Sequence, residues 1–420
     1  MSVRERLGEL AGGASSPLRI RVAGRDARWW VVVLVVYASS RVLTTALMLT
    51  LFLVATAEHW PFASSRADPT FFTFSGSWDA SYYRRIAEQG YPTTIPTDDA
   101  GNVVQNAWAF LPLFPWIARG VMAVSGLGFY PAGVIVATLF GAAATLVLYR
   151  LVASRVGATS GLWAAVLFSF GPLSFVLQIA YAESLFFFLM FAALWAIMAR
   201  SYWWALPLGV AAAFTKPGEL ALPLALGVIF LVRIVQQRRA AQAGPDAVAA
   251  VEPFPLRQKV AIVVTGAVTA AAGLVWPLIA SAVTGFPDAY LQTELSWWTG
   301  FIGRVSFIPL TPWFLFTWKY ANVLGVLLVV AAIFGFSWLL SRPSVRVLGL
   351  EVVAFSASYG LYLFAVFLPQ QSLFRLLMPL APLAGAPALT HNRRARMIVL
   401  IVGIALQPVA LVLLWYLGYP

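Results

Sequence analysis

The sequence predicts an all-α, polytopic membrane protein of about eleven transmembrane helices, and three observations carry that expectation. Of 420 residues, 61% are hydrophobic and 10% are charged, far too apolar for a soluble domain of this length. Runs of about 20 apolar residues, the length that crosses a hydrocarbon core, recur almost without pause. The basic residues between those runs gather in alternate loops, as the positive-inside rule requires of a multi-pass chain.

Taken in order, the apolar segments fall at about 29–56, 129–150, 161–179, 181–199, 203–217, 219–236, 260–283, 313–340, 347–368, 374–390 and 396–418. The expected organisation is a cytoplasmic arm, 1–28, followed by one membrane domain, 29–420, whose first outer loop is 58–128. The apolar run at 29–57 is longer than the 7–15 residue core of a signal peptide. Although Ala55-Thr56-Ala57 has the small residues of a cleavage site, an uncleaved first span is expected. The segment 108–124 is apolar but short, and it contains Pro112, Pro115 and Arg119. If it does not cross, nineteen of the 28 basic residues share one side, including Arg4, Arg150, Arg200, Arg233, Arg342 and Arg393. If it crosses, the asymmetry is destroyed. It is therefore expected to be interfacial or re-entrant, with the N-terminus cytoplasmic. The 237–258 loop reads as a plain linker.

The formal net charge of +12 is not a nucleic-acid patch, because the basic residues lie in short loops between spans. Cysteine is absent and histidine occurs only at 59 and 391, which excludes disulfides, thiol nucleophiles and His-rich metal clusters. No Mg²⁺ or Zn²⁺ ligand spacing is visible, so no metal cofactor is expected. Arginine greatly outnumbers lysine, which is found only at 216, 259 and 319. That bias points to a high-GC bacterium.

The outer face then collects the unusual residues. In the first outer loop, Ser77-Trp78-Asp79 opens a short amphipathic helix running to Glu88, with Gly90 at its end. Trp78, Tyr82 and Ile86 share a face at i, i+4 and i+8, which would rest in the interface. Spacing alone leaves Asp79 as either the helix cap or a functional carboxylate. Glu183, between two spans that meet at this surface, requires a cation partner, with Lys216, Arg304 and Arg375 as candidates. Arg375 at a span end is either a snorkelling anchor or a phosphate ligand. Arg41 lies twelve residues into the first span, near the membrane centre, and an intramembrane arginine is a functional candidate by default. Trp297 and Trp298 fit an interfacial aromatic belt or a cover over the site.

The Trp78-Asp79 pair, its aromatic helix and Ile86-Ala87-Glu88-Gln89-Gly90-Tyr91 resemble the first outer loop of the PIG-V-like mannosyltransferases, of the GT-C membrane glycosyltransferase superfamily. Three further segments are similar in the same order: Phe110-Leu111-Pro112-Leu113-Phe114-Pro115, Ala180-Tyr181-Ala182-Glu183-Ser184-Leu185-Phe186, and Ser372-Leu373-Phe374-Arg375-Leu376-Leu377-Met378-Pro379. Ser40-Arg41 resembles a further motif in the first span, whereas Lys216-Pro217 stands where an arginine-serine turn is expected. The resemblance runs from about residue 39 to 380.

This resemblance implies a bacterial, actinobacterial-type enzyme in the plasma membrane, its site on the outer face. It implies inverting transfer of mannose from a polyprenyl-phosphate-mannose donor to a hydroxyl of a glycolipid, lipoglycan or protein acceptor. Asp79 would be the general base, which suits single displacement. Arg375, Lys216 and Arg41 would hold the donor phosphate. Trp78, Tyr82, Tyr83, Glu183, Ser184, Gln370 and Trp297 would contact substrate. Two other readings stand beside it. One is a GT-C transferase of another polyprenyl-linked sugar such as arabinose. The other is a lipid or solute transporter, which Arg41 and the proline-interrupted spans would also fit.

Overall fold

A computed structural model describes residues 19–22, 25–60 and 69–418, and from Trp29 onward it is almost wholly helical. Most of the expected N-terminal arm, residues 1–18, lies outside the described residues. Arg19–Val22 and Arg25–Arg28 pair as a short antiparallel hairpin, Arg19 opposite Arg28.

Thirteen principal helices follow among the described residues. They are α1 (Trp29–Ala57), α2 (Ala80–Gln89), α3 (Leu113–Ser125), α4 (Phe129–Val156), α5 (Ala158–Phe170), α6 (Glu183–Met198) and α7 (Tyr202–Ala213). After them come α8 (Ala221–Ala243), α9 (Leu256–Thr284), α10 (Ala289–Ser296), α11 (Pro312–Ser341), α12 (Leu350–Val366) and α13 (Arg393–Ala410), which a π-helical turn extends to Tyr416. Among the described residues six are long and apolar enough to cross a bilayer: α1, α4, α8, α9, α11 and α13 with its extension. The protein is an all-α multi-pass membrane protein.

The bundle is built around α6. Its sequence is apolar on every side, and 13 of its 16 residues are buried, the pattern of a helix enclosed by protein. It packs on α4 and α7, and α4 packs on α5. At the periphery, α11 buries only Pro312, Gly325, Val329 and Leu340, so most of its surface is left for lipid.

Several expected spans are broken instead of continuous, and each break has a residue-level cause. The segment expected as 161–179 ends as an α-helix at Phe170, because Gly171-Pro172 follows, and resumes only as a 3₁₀ turn at Ser174–Leu177. The segment 374–390 is not an α-helix. Pro379, Pro382 and Pro387 each lack the amide hydrogen a helix needs, and the chain forms a single turn, a 3₁₀ stretch at Met378–Gly385 and another turn. The expected span at 203–217 is the 12-residue α7, roughly 18 Å long and too short to cross alone. The ambiguous 108–124 segment becomes a 3₁₀ turn and the 13-residue α3, likewise shorter than a bilayer crossing.

Irregular backbone at membrane depth survives only where protein groups satisfy it. After α5 that task falls to Arg41. Its guanidinium donates to the Ser174 carbonyl (2.5 Å), Gln178 Oε1 (3.1 Å) and the Ser169 carbonyl (3.0 Å), and it lies over the Tyr37 ring. Gln407 adds a bond to the Phe170 carbonyl (3.0 Å). At the other end of the bundle, the buried Glu351 receives Arg155 (2.9 Å) and Arg200, and Arg200 also pairs with Glu252 (2.8 Å). The 237–258 loop is therefore no plain linker. α8 extends to Ala243, and the stretch after it is pinned by Arg200 and by Arg233, which donates to the Pro253 carbonyl (3.2 Å).

Replacing Arg41 by methionine is expected to lower stability by about 2–4 kcal/mol, since several buried acceptors lose their donor. Thermal unfolding of the purified protein in detergent reads this directly. An unchanged midpoint would mean that Arg41 does not hold the break together.

Candidate active site

Three breaks in the bundle and the first long loop meet at one end of the fold. The loop before α2 is stitched to the break before α6, where the Ala180 amide donates to the Ser75 carbonyl (3.1 Å). The start of α3 is stitched to the turn after α7, where the Leu113 amide donates to the Phe214 carbonyl (2.9 Å). These contacts bring together Asp79, Glu183, Lys216 and Arg375, which stand far apart in sequence.

Arg375 is the hub. Its Nη2 donates to Asp79 Oδ2 at 2.7 Å and its Nη1 to Glu183 Oε1 at 2.8 Å. Lys216 Nζ reaches the same Glu183 oxygen at 3.0 Å. The guanidinium also lies 5.2 Å from the Tyr181 ring centroid, a cation–π contact. Burial works against a charged Arg375, but the Asp79 and Glu183 carboxylates outweigh it and raise its hold on its proton. The quartet carries two positive and two negative formal charges. Arg375 Nε has no partner among the described residues, and Lys216 has donors to spare.

Asp79 occupies the cap position of α2, yet its side chain makes no capping bond. Ser77 does not cap either, since its hydroxyl donates to the Phe74 carbonyl (2.9 Å). The carboxylate is turned to Arg375 instead. Trp78 sits just before it at φ +56, a left-handed conformation that costs a bulky residue on the order of 1–3 kcal/mol. The Trp78 indole N–H donates to the Trp415 carbonyl (2.9 Å), and the Asp79 amide donates to Tyr181 Oη (3.1 Å). Because the helix starts only at Ala80, the expected Trp78–Tyr82–Ile86 face does not form. The buried face is Ala80, Tyr83, Ile86 and Ala87, and it packs against protein helices α3 and α4.

Beside the quartet lies a cavity of about 220 Å³ lined by Asp79, Tyr83, Lys216, Trp297, Gln370 and Arg375, with Phe110, Trp298 and Phe307 among its aromatic walls. Burial pushes the Tyr83 phenol well above its usual range, with Glu183 and Asp79 adding to the shift. Tyr83 is therefore a neutral donor at ordinary pH. Tyr82 stands behind this wall, stacked on Phe110 at 4.7 Å. Ser184 is buried one residue into α6, and its hydroxyl has no partner among the described residues. Trp78 and Arg41 are not among the cavity's lining residues. Arg41 in particular spends its donors on the backbone break described above, which places it apart from the quartet. Arg304 pairs with Asp98 (2.7 Å) and not with Glu183.

Two carboxylates went unassigned in the sequence. Glu294, with Tyr290 one turn before it on α10, also lines the cavity. Burial pushes its carboxyl up to about 7 against an opposing hydrogen bond from Tyr290. The i, i+4 spacing of Tyr290 and Glu294 was the available signal. Glu219, in the turn between α7 and α8, is buried, and burial pushes its carboxyl up to about 7 as well.

No protein-family model matches the chain, and no curated protein sequence does. Solved structures of similar course include two of ArnT from Cupriavidus metallidurans. One, bound to undecaprenyl phosphate, has a TM-score of 0.47 and 15% identity over 89% of this chain and 64% of that one. The other, in the apo state, has a TM-score of 0.42 and 17% identity over 87% and 64%. The oligosaccharyltransferase of Archaeoglobus fulgidus, in complex with zinc and sulfate, has a TM-score of 0.40 and 14% identity over 81% and 49%. The chain thus spans less than two-thirds of the length of each.

The raised Glu219 carboxyl has a measurable consequence. Between about 4.5 and 7 the unfolded chain loses this proton while the folded chain keeps it, so stability falls as pH rises through that window. E219Q is expected to match wild type near pH 4.5 and to exceed it at pH 8 by about 3 kcal/mol at most. Thermal midpoints in detergent at the two pH values test this. A gap that does not change with pH would show that Glu219 ionises like an ordinary carboxylate.

Proposed function

We propose that this protein is an inverting glycosyltransferase of GT-C type. In this reading it moves mannose from a polyprenyl-phosphate-mannose donor to a hydroxyl of a glycolipid or lipoglycan at the outer face of the membrane. The observation that carries the proposal is the buried Asp79–Arg375–Glu183–Lys216 quartet at the wall of an aromatic cavity. A structural ion-pair network would not need a void beside it, nor donors left over.

The reaction follows from those groups. The acceptor oxygen forms a bond to the anomeric carbon while the bond from that carbon to the phosphate oxygen breaks. Inversion results because attack and departure occur on opposite faces. Asp79 takes the acceptor proton. The transition state has oxocarbenium character, and the phosphate leaves as a stable anion that needs cations but no acid. Arg375 Nε and the spare donors of Lys216 supply them, and the low solvent exposure of both side chains strengthens each contact. Glu183 holds both cations in position, and Arg375 in turn orients Asp79. The aromatic lining suits a pyranose face and a lipid chain.

A transporter would instead place binding groups near mid-membrane. Arg41, the arginine expected near mid-membrane, is occupied with main-chain carbonyls, so this reading has less to support it.

The decisive experiment reconstitutes the full chain in bilayers with radiolabelled polyprenyl-phosphate-mannose and a cell lipid extract. Wild type is expected to transfer label, and D79N to lose at least 10²-fold in rate, the low end of what a general base contributes. R375K keeps the charge but not the fork, and it is expected to lose activity too. Equal transfer by D79N would remove Asp79 from catalysis. Absence of transfer from every polyprenyl-phosphate sugar would overturn the transferase reading.

A further inference from the structure

The quartet accounts for the cationic end of the cavity and leaves a second group of polar atoms on the same walls unexplained. Glu294 lies on α10, which is anchored where Asn106 Nδ2 donates to Thr293 Oγ1 at 2.9 Å, so the carboxylate is held on a fixed element. Unlike Asp79 and Glu183, it has no cation within ion-pair distance among the described residues. Its one partner there is the neutral phenol of Tyr290. Gln370 Oε1, from the segment after α12, and Trp297 Nε1, at the end of α10 itself, line the cavity and have no hydrogen-bond partner among the described residues. A carboxylate held only by a neutral phenol, and a buried amide oxygen and indole N–H left without partners, are costly unless something polar completes them.

The chemistry of that missing partner can be deduced. An anion is disfavoured, because Glu294 would repel it, whereas Arg375 and Lys216 attract one at the other group. A cation finds one carboxylate among aromatic rings and no further anionic ligand but Asp79, which is already paired. A neutral polyol fits all three groups. A carboxylate can accept from two adjacent hydroxyls at once, the indole donates to a third, and the amide both accepts and donates. Aromatic walls suit the apolar face of the ring. At about 220 Å³ the cavity holds far more than a single water of about 30 Å³.

We propose that Glu294, with Gln370 and Trp297, is the subsite that reads the hydroxyls of the transferred sugar and so decides which glycosyl group the protein accepts. This rests on the transferase reading above and goes beyond it by naming the residue that selects the sugar. A carboxylate that accepts from two neighbouring hydroxyls is sensitive to their relative orientation, and a site built to hydrogen-bond a hydroxyl rejects the analogue that misplaces it.

The test uses the full chain in bilayers with polyprenyl-phosphate-mannose and polyprenyl-phosphate-glucose, which differ at one hydroxyl. Wild type is expected to prefer one donor. E294Q is expected to raise KM for that donor about tenfold or more and to shrink the preference by a similar factor, with a smaller change in kcat. A preference ratio unchanged in E294Q overturns the proposal. A second measurement needs no turnover: saturation-transfer NMR of methyl mannoside and methyl glucoside binding to wild type, E294Q and E294D. Weakened binding in E294Q, partly restored in E294D, supports the subsite even if no polyprenyl donor is used and the transferase reading fails. Equal binding by wild type and E294Q, or no binding of either glycoside to wild type, overturns it.

Discussion

The position of Arg375 between two carboxylates constrains everything around it. A guanidinium that is 8% exposed costs several kcal/mol to desolvate and is tolerated only with well-placed counter-charges. Asp79 and Glu183 come from segments 296 and 192 residues away in sequence, so both segments must be correctly folded before Arg375 can be buried. Lys216 adds a third segment by pairing with the same Glu183 oxygen. Such a quartet is weak evidence for stability, because an apolar replacement of equal shape often does as well. What it secures is the relative placement of four groups.

That placement is made possible by helices that stop early. A bundle of continuous spans would carry its polar residues outward along each helix and leave no interior surface for a site. Here Gly171-Pro172 ends α5, the prolines at 379, 382 and 387 prevent a helix after Arg375, and α7 ends at Ala213 before Lys216. Each interruption exposes main-chain groups that lipid cannot satisfy, and at the break after α5 the fold answers with Arg41 and Gln407. Arg41 is thus connected to the site by architecture, through the break that carries Tyr181 and Glu183, and not by contact.

The sequence was legible where a residue type was out of place. Asp79, Glu183, Lys216 and Arg375 stood out because charge is rare in an apolar chain, and charge asymmetry kept 108–124 from being taken as a span. It was less legible where backbone geometry decides. Periodicity placed Trp78 and Tyr82 on one face resting in the interface, but the left-handed turn at Trp78 starts the helix one residue after Asp79, and the face that packs on protein carries Tyr83. Apolar content alone could not distinguish 374–390 from a span, although its three prolines carried the information. Glu294 was hidden among tryptophans that fitted an interfacial belt equally well. Only the fold shows that α10 lines the same cavity as Asp79.

The charge balance of the quartet bears on how proton transfer and departure of the phosphate would be coupled in the proposed reaction. At rest two cations face two carboxylates, and Arg375 is shared between Asp79 and Glu183. When Asp79 takes the acceptor proton it becomes neutral, and the half of the guanidinium that faced it loses its counter-charge. That surplus arises at the moment the bond to phosphate breaks and negative charge grows on the leaving oxygen. Glu183 cannot absorb it, since it already serves both Arg375 and Lys216. Ionisation of the donor and protonation of Asp79 would therefore each favour the other. In a site of low effective dielectric, where uncompensated charge is costly, that mutual dependence favours a concerted displacement over one in which either event runs ahead.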